Sequence, residues 1–347
     1  MKTLFRLVVA LLSAALLAAC GGSGESGASL PAPVSIAPTS GDGASSARLG
    51  TQPAHLYVAN YLASDVTIYA KTGGAPVRMI SQGVHEPDSL ALDAQGDLYV
   101  ANFGKFGSVT VYAPGGTSPL RRISSGVRKP TALAFDASGN LYVANAKRAQ
   151  STVTVYAPGS GSVLRTISQG LEFPRALAFD DSGNLYVANS GSVTVYAPGS
   201  TSTLRTISQG IDDPVALAFD GSDNLYVANS QANTVTEYAP GSTSVLRTVS
   251  RGVDAPLALA LNRTNSLFVA NSAANTVTVY THHSASLHKV ISKRIDFPDA
   301  LAFDGSDNLY VGNYNNFKVT VYAPHSSSVL RIISQGVYYP RALAFGP

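Results

Sequence analysis

Leu98-Tyr99-Val100-Ala101-Asn102 recurs, whole or with one change, from Leu56, Leu141, Leu185, Leu225, Leu267 and Leu309. Successive copies lie 42, 43, 44, 40, 42 and 42 residues apart. A fixed period of this size marks a stacked supersecondary unit, and a unit that holds only strand-like segments matches the blade of a β-propeller. In the third copy the surrounding grammar runs from Pro130 to Asp136, Leu141 to Asn145, Thr152 to Pro158 and Leu164 to Gly170. These four segments are strands A to D of one blade.

The ends of the array set the blade count. The first copy starts at strand B, His55 to Asn60, and the chain ends on an extra strand A, Arg341 to Phe345. Pairing that C-terminal strand with the N-terminal strands B to D completes a seventh blade and leaves no open edge between first and last. The expected fold is therefore all-β, a seven-bladed β-propeller of four-stranded blades over residues 53–347.

Alternation and turn chemistry support the strands. Val153-Thr154-Val155-Tyr156 and Val193-Thr194-Val195-Tyr196 have the period of two and the β-branched and aromatic bias of strands. The A–B link needs one left-handed residue and holds Gly96, Gly139, Gly183, Asp223, Asn265 and Asp307 there, all types that tolerate it. Asp93, Asp136, Asp180, Asp220, Asn262 and Asp304 open these hairpins, with side chains suited to bond the backbone two residues on. Alternating Ala with Leu or Phe along strand A suits a tapered propeller centre.

The N-terminus reads as a targeting segment. Met1 to Arg6 is basic, Leu7 to Ala19 is apolar and too short for a comfortable membrane span, and Leu17-Ala18-Ala19-Cys20 resembles the lipobox of bacterial lipoproteins. That resemblance implies a signal peptide over 1–19, a lipidated Cys20 as the first mature residue and attachment to a bacterial cell envelope. Gly21 after the cysteine favours the outer membrane if the envelope is Gram-negative. Residues 20–52, rich in Gly, Ser, Ala and Pro, read as a flexible tether. Cys20 is the single cysteine, so the folded domain is expected to hold neither disulfide nor thiol chemistry. A net charge of +3 with 13% charged residues gives no footprint for nucleic acid.

The repeat resembles bacterial propeller repeats of the NHL and YVTN types, which share a Pro-x-hydrophobic strand, a hairpin and a Tyr-Val-Ala-Asp/Asn phrase. The phrase here ends in Asn where NHL usually has Asp, and has Ala where YVTN has Thr. The resemblance implies the fold; function has to come from a site. Positions shared by all blades are accounted for by the fold: the seven Asn, from Asn60 to Asn313, as strand-end caps, the Tyr of the Tyr-Ala-Pro turn, and the Arg of strand D on an exposed outer edge.

Variation concentrates in the B–C and D–A loops, which open on one face of a propeller. One sector carries Lys105, Arg128, Lys129, Lys147 and Arg148, and the opposite side carries Asp212, Asp213, Asp254, Asp296 and Asp299. Around the closure seam fall Tyr61, Phe103, Phe106, Tyr314, Phe317, Tyr338 and Tyr339. Exposed aromatics and arginines on one face are what recognition surfaces enrich. The residue after each strand-A proline lies near the axis, and in ring order it is Arg341, Asp88, Thr131, Arg175, Val215, Leu257 and Asp299. Asp299, Arg341 and Asp88 are thus expected to cluster at the channel mouth.

These features point to a membrane-anchored, monomeric binding module whose partner is an envelope protein or glycan, with no cofactor and no metal. Two further readings stand beside it. One is a carbohydrate-binding envelope protein. The other is a metal-dependent lyase or lactonase resembling the streptogramin lyases, for which His85 and Glu86 are the candidate catalytic residues because they alone pair a His with a Glu on the variable face.

Overall fold

The computed structural model describes residues 55–71 and 73–347. The expected signal segment 1–19, the lipidation of Cys20 and the tether over 20–52 lie outside the described residues.

Among the described residues twenty-eight strands, numbered β1 to β28 in chain order, form seven four-stranded antiparallel sheets. Among the described residues there is no helix. The protein is a seven-bladed β-propeller, and its closure is the expected one. The C-terminal strand β28 (Pro340–Gly346) pairs with β1 (His55–Asn60), which continues through β2 (Asp65–Ala70) to β3 (Pro76–Ile80). Each later blade runs A to D in simple sequence order.

Seven apolar clusters supply the core, and they lie between blades rather than within them. One joins Tyr99, Val109 and Ile123 of blade two to Leu133, Leu141 and Tyr156 of blade three. At the seam, Leu56, Val58 and Tyr69 of blade one meet Tyr310, Val319, Ile333 and Val337 of blade seven, with Leu343 of β28. The β-branched alternation of strands B and C thus supplies two apolar faces, one for each neighbouring blade.

Buried polar groups follow the same period. The tyrosine that closes each strand C is fully buried, and its hydroxyl donates to a backbone carbonyl in the D–A loop of the preceding blade. The seven acceptors are Gln335, Gln82, Ser125, Gln169, Gln209, Arg251 and Lys293, at 2.5 to 2.7 Å. These bonds stitch each blade to the one before it, including blade one to blade seven. Tyr156→Phe keeps the ring and strands the Ser125 carbonyl, so it is expected to lower stability by about 1–3 kcal/mol in equilibrium denaturation.

The strand-D arginines depart from expectation. Arg121, Arg165, Arg205 and Arg331 fold back onto the strand-B tyrosines, donating to the hydroxyls of Tyr99, Tyr142, Tyr186 and Tyr310 at 2.6 to 3.0 Å. Their guanidinium groups lie over the same rings. The exposed-edge reading is corrected: the aliphatic stem and planar head cover apolar surface that the outer strand would leave open.

Candidate functional site

Two loop families build one face. In every blade the first B–C loop amide donates to a carbonyl in the adjoining D–A loop, as Tyr61 to Tyr339, Phe103 to Glu86 and Tyr314 to Phe297, at 3.0 to 3.1 Å. The residue immediately before the strand-A proline has a left-handed backbone in all seven blades: Glu86, Lys129, Phe173, Asp213, Ala255, Phe297 and Tyr339, with φ from 46° to 54°. It is the acceptor in six of them, and in blade four the acceptor is Glu172, one residue earlier. None is glycine, and a residue before proline normally prefers an extended backbone. The strain, about 1 kcal/mol or more at each, persists because bonds to the B–C loops fix the backbone: the carbonyl accepts in six blades, and in blade four the Phe173 N–H donates to Ser151 at 2.9 Å. One rigidly held, variable side chain per blade is therefore displayed toward this face.

The expected Asn caps serve the same loops. Asn102 accepts from the backbone N–H of His85 at 2.8 Å and donates to Ser108 and Thr110, and Asn60 accepts from Tyr338 at 2.9 Å. Asn145, Asn189, Asn229, Asn271 and Asn313 make the equivalent bond to the D–A loop.

At the seam the structure brings together Asp88, Asp299 and Arg341. Arg341 Nε donates to Asp88 Oδ1 at 3.0 Å and Nη1 to Asp299 Oδ2 at 3.2 Å, with both carboxylates fully buried. Burial raises each carboxyl, to about 6, against the opposing pull of Arg341. Burial alone would lower the Arg341 pKa, but the two carboxylates beside it outweigh that and raise it. The two directions are consistent, because one cation shared between two buried anions leaves a net negative charge. Asp88 Oδ2 and Asp299 Oδ1 have no hydrogen-bond partner among the described residues.

Aromatic side chains cover this group. The Arg341 guanidinium lies 5.3 Å from the Tyr61 ring centroid and 5.9 Å from that of Tyr314. Tyr61 donates to Glu86 Oε2 at 3.4 Å, a long bond. Next to them Tyr314, Phe317, Tyr338 and Tyr339 form a continuous ring cluster with centroids 4.5 to 4.9 Å apart. Phe297 joins it through Tyr314 at 5.8 Å. Sequence reading missed Phe297, although it stands before a strand-A proline just as Tyr339 does. Tyr338 is 45% exposed, while its neighbours are half-buried.

Other expected members lie elsewhere. Phe103 and Phe106 make no ring contact with the seam aromatics among the described residues; they stack under Lys129 and Lys105, at 4.3 and 5.4 Å. Their B–C loop belongs to blade two and leans on the D–A loop that joins blade one to blade two, one blade on from the loop that carries Tyr338 and Tyr339. Arg128, Lys147 and Arg148 are exposed in the blade-three loops. Arg175 pairs with Asp213 of the next blade at 2.8 Å. Asp299 belongs to the buried seam cluster and not to an exposed acidic sector.

His85 is exposed, and its backbone N–H is held by Asn102. Among the described residues His85 and Glu86 do not share a three-residue metal-ligand grouping; the grouping present is Asp220, His282 and His283, on the opposite face.

A family model described as SMP-30/Gluconolactonase/LRE-like region matches residues 49–147, about the first two blades. No curated protein matches the chain. Among solved structures, a functionally unknown protein from Desulfotomaculum acetoxidans DSM 771 is similar at 13% identity and a TM-score of 0.68, over 84% of this chain and 98% of that one. The WD40 β-propeller domain of Doa1 is similar at 15% identity and a TM-score of 0.65, over 80% of this chain and 92% of the domain. At these identities the likeness is one of fold.

Proposed function

We propose that the protein is a lipid-anchored binding module of a bacterial cell envelope that recognises a glycan at the blade-seven to blade-one seam. The observation that carries this reading is the aromatic platform at the seam, held in place by a buried ion cluster. Tyr314, Phe317, Tyr338 and Tyr339 form the platform, with Tyr338 the most exposed of the four, and the fully buried Asp88 and Asp299 hold Arg341 against the Tyr61 and Tyr314 rings. A polyhydroxylated ring matches such a platform, laying its C–H face on an aromatic ring and exchanging hydrogen bonds with the tyrosine hydroxyls beside it. Sites of this kind are mostly apolar with a few fixed polar groups. The lipobox ending at Cys20 and the Gly- and Ser-rich segment after it support the envelope location and a tethered propeller.

The test is binding of an immobilised panel of envelope glycans to the full chain and to Tyr338→Ala/Tyr339→Ala. Loss of two stacking rings should weaken binding by roughly tenfold or more, at about 1.4 kcal/mol per decade. Unchanged binding by the double variant, or no glycan bound by the parent, rejects the reading.

A lactonase or lyase is the second reading, favoured by the family-model match at 49–147, which contains Glu86, Asp88 and Asn102. Such an activity needs an ion or base at the channel mouth, so turnover of a lactone panel that disappears in Asp88→Asn would establish it.

A further inference from the structure

The face opposite the variable loops carries three departures from the repeat, and all three meet at one point between blades five and six. In strand C of blade five Glu237 stands where the other blades have Ile68, Val111, Val155, Val195, Val279 and Val321. In the C–D turn of blade six His282 and His283 replace the Pro-Gly of Pro114-Gly115, Pro158-Gly159, Pro198-Gly199 and Pro240-Gly241. His283 even keeps the left-handed backbone of those glycines, at φ 52°.

The outcome is a compact polar cluster. His282 Nε2 lies 3.2 Å from Asp220 Oδ2, and His283 Nδ1 lies 2.9 Å from Glu237 Oε1. The two imidazole ring centroids lie 3.6 Å apart with their planes tilted by 33°. Asp220 and Glu237 are buried, whereas the His side chains are 32% and 40% exposed. Local bonding is redirected around them. In blades two, three, four and seven the strand-D arginine donates to the strand-B tyrosine, but here Arg247 goes to Glu237 at 2.6 Å and Tyr226 donates to Asp220 at 3.2 Å. Asp220, Glu237 and Arg247 together leave one negative charge.

We propose that Asp220, His282 and His283 form a binding site for a divalent transition ion of the zinc class, with Glu237 as a positioning residue. One ligand atom from each of the three lies within 4.8 Å of the others. Tetrahedral zinc with bonds of about 2.0–2.1 Å needs donors about 3.3 Å apart. The Asp220 to His282 pair already meets that spacing, and His283, at a turn tip, has only a small distance to close. Two imidazoles and a carboxylate suit zinc, copper or nickel better than calcium or magnesium. In the metal-bound form His283 Nδ1–H would donate its hydrogen bond to Glu237 Oε1, 2.9 Å away, which leaves Nε2 to bind the ion, the arrangement by which carboxylates orient metal-ligating histidines. Three protein ligands leave a fourth position toward solvent.

The experiment is Zn2+ titration of the chelator-treated full chain, repeated with Co2+ for its visible absorption. His282→Pro/His283→Gly restores the turn of blades two to five, so it is expected to fold, and its thermal midpoint in chelator checks this. The parent should bind one Zn2+ that the double variant loses, with at least 100-fold weaker affinity, and the Co2+ bands should vanish. Glu237→Val, the residue of the other blades, should weaken binding about 10–100-fold. No Zn2+ bound by the parent, or one bound equally by the double variant, overturns the proposal.

Discussion

Arg341→Leu is expected to destabilise the protein by about 3–5 kcal/mol at pH 7, because it strands two buried carboxylates that share one guanidinium. The cause is charge and not packing, since Leu257 occupies the same position in blade six. The sign of its pH dependence follows from the carboxyls. Burial raises Asp88 and Asp299 to about 6, above the ordinary 3.8, so the folded protein binds these protons more tightly than the unfolded chain does. Stability therefore falls as pH rises from about 4 to 6 and is recovered as the carboxyls are protonated. Removing Arg341 raises both groups further, so the deficit of the variant should shrink between pH 7 and pH 5. Urea denaturation at the two pH values measures it. A deficit that grows on acidification would contradict the account. The companion variant, Asp88→Thr with Arg341→Val and Asp299→Leu, uses residues found at this position in other blades and should recover most of the lost stability. If it does so while losing glycan, the cluster serves recognition and not closure.

Deleting residues 340–347 is expected to abolish cooperative folding. Strand β28 pairs along the whole of β1, and it places Ala342, Leu343 and Ala344 in the apolar clusters on either side. Its removal exposes one long strand edge and opens the core between blades seven and one, a loss comparable with a whole folding stability of about 5–15 kcal/mol. Leu343→Ala, the milder version, should cost about 2–5 kcal/mol. Size-exclusion chromatography with thermal unfolding reads both. A truncated chain that stays monomeric and unfolds in one sharp transition would show that the ring does not depend on its seam.

The fold was legible because each blade repeats the same local chemistry. Six A–B hairpins place Gly, Asp or Asn where φ is positive, and the leftover strand matched the missing one. Arg341, Asp88 and Asp299 were legible for the same reason, since a fixed offset from a repeated proline fixes a place in the ring. What stayed hidden depends on contact between blades. The seven left-handed residues before proline go against local preference and are held by hydrogen bonds to the B–C loops, through their carbonyls in six blades and the Phe173 N–H in blade four, a constraint that sequence does not carry. The strand-D arginines turn inward because a tyrosine hydroxyl waits two strands away. Glu237, His282 and His283 were visible as departures from the repeat, but their meeting depends on the C–D turn of one blade lying against strand C of the one before.

Hydrogen–deuterium exchange of the full chain, with and without the tightest-binding glycan, tests the seam most directly. Binding there protects Tyr61, the 314–317 loop and the 338–341 segment, and leaves the loops of blades three to five unchanged. Protection confined to those distant loops, or to the opposite face, would contradict the assignment of the seam as the recognition site.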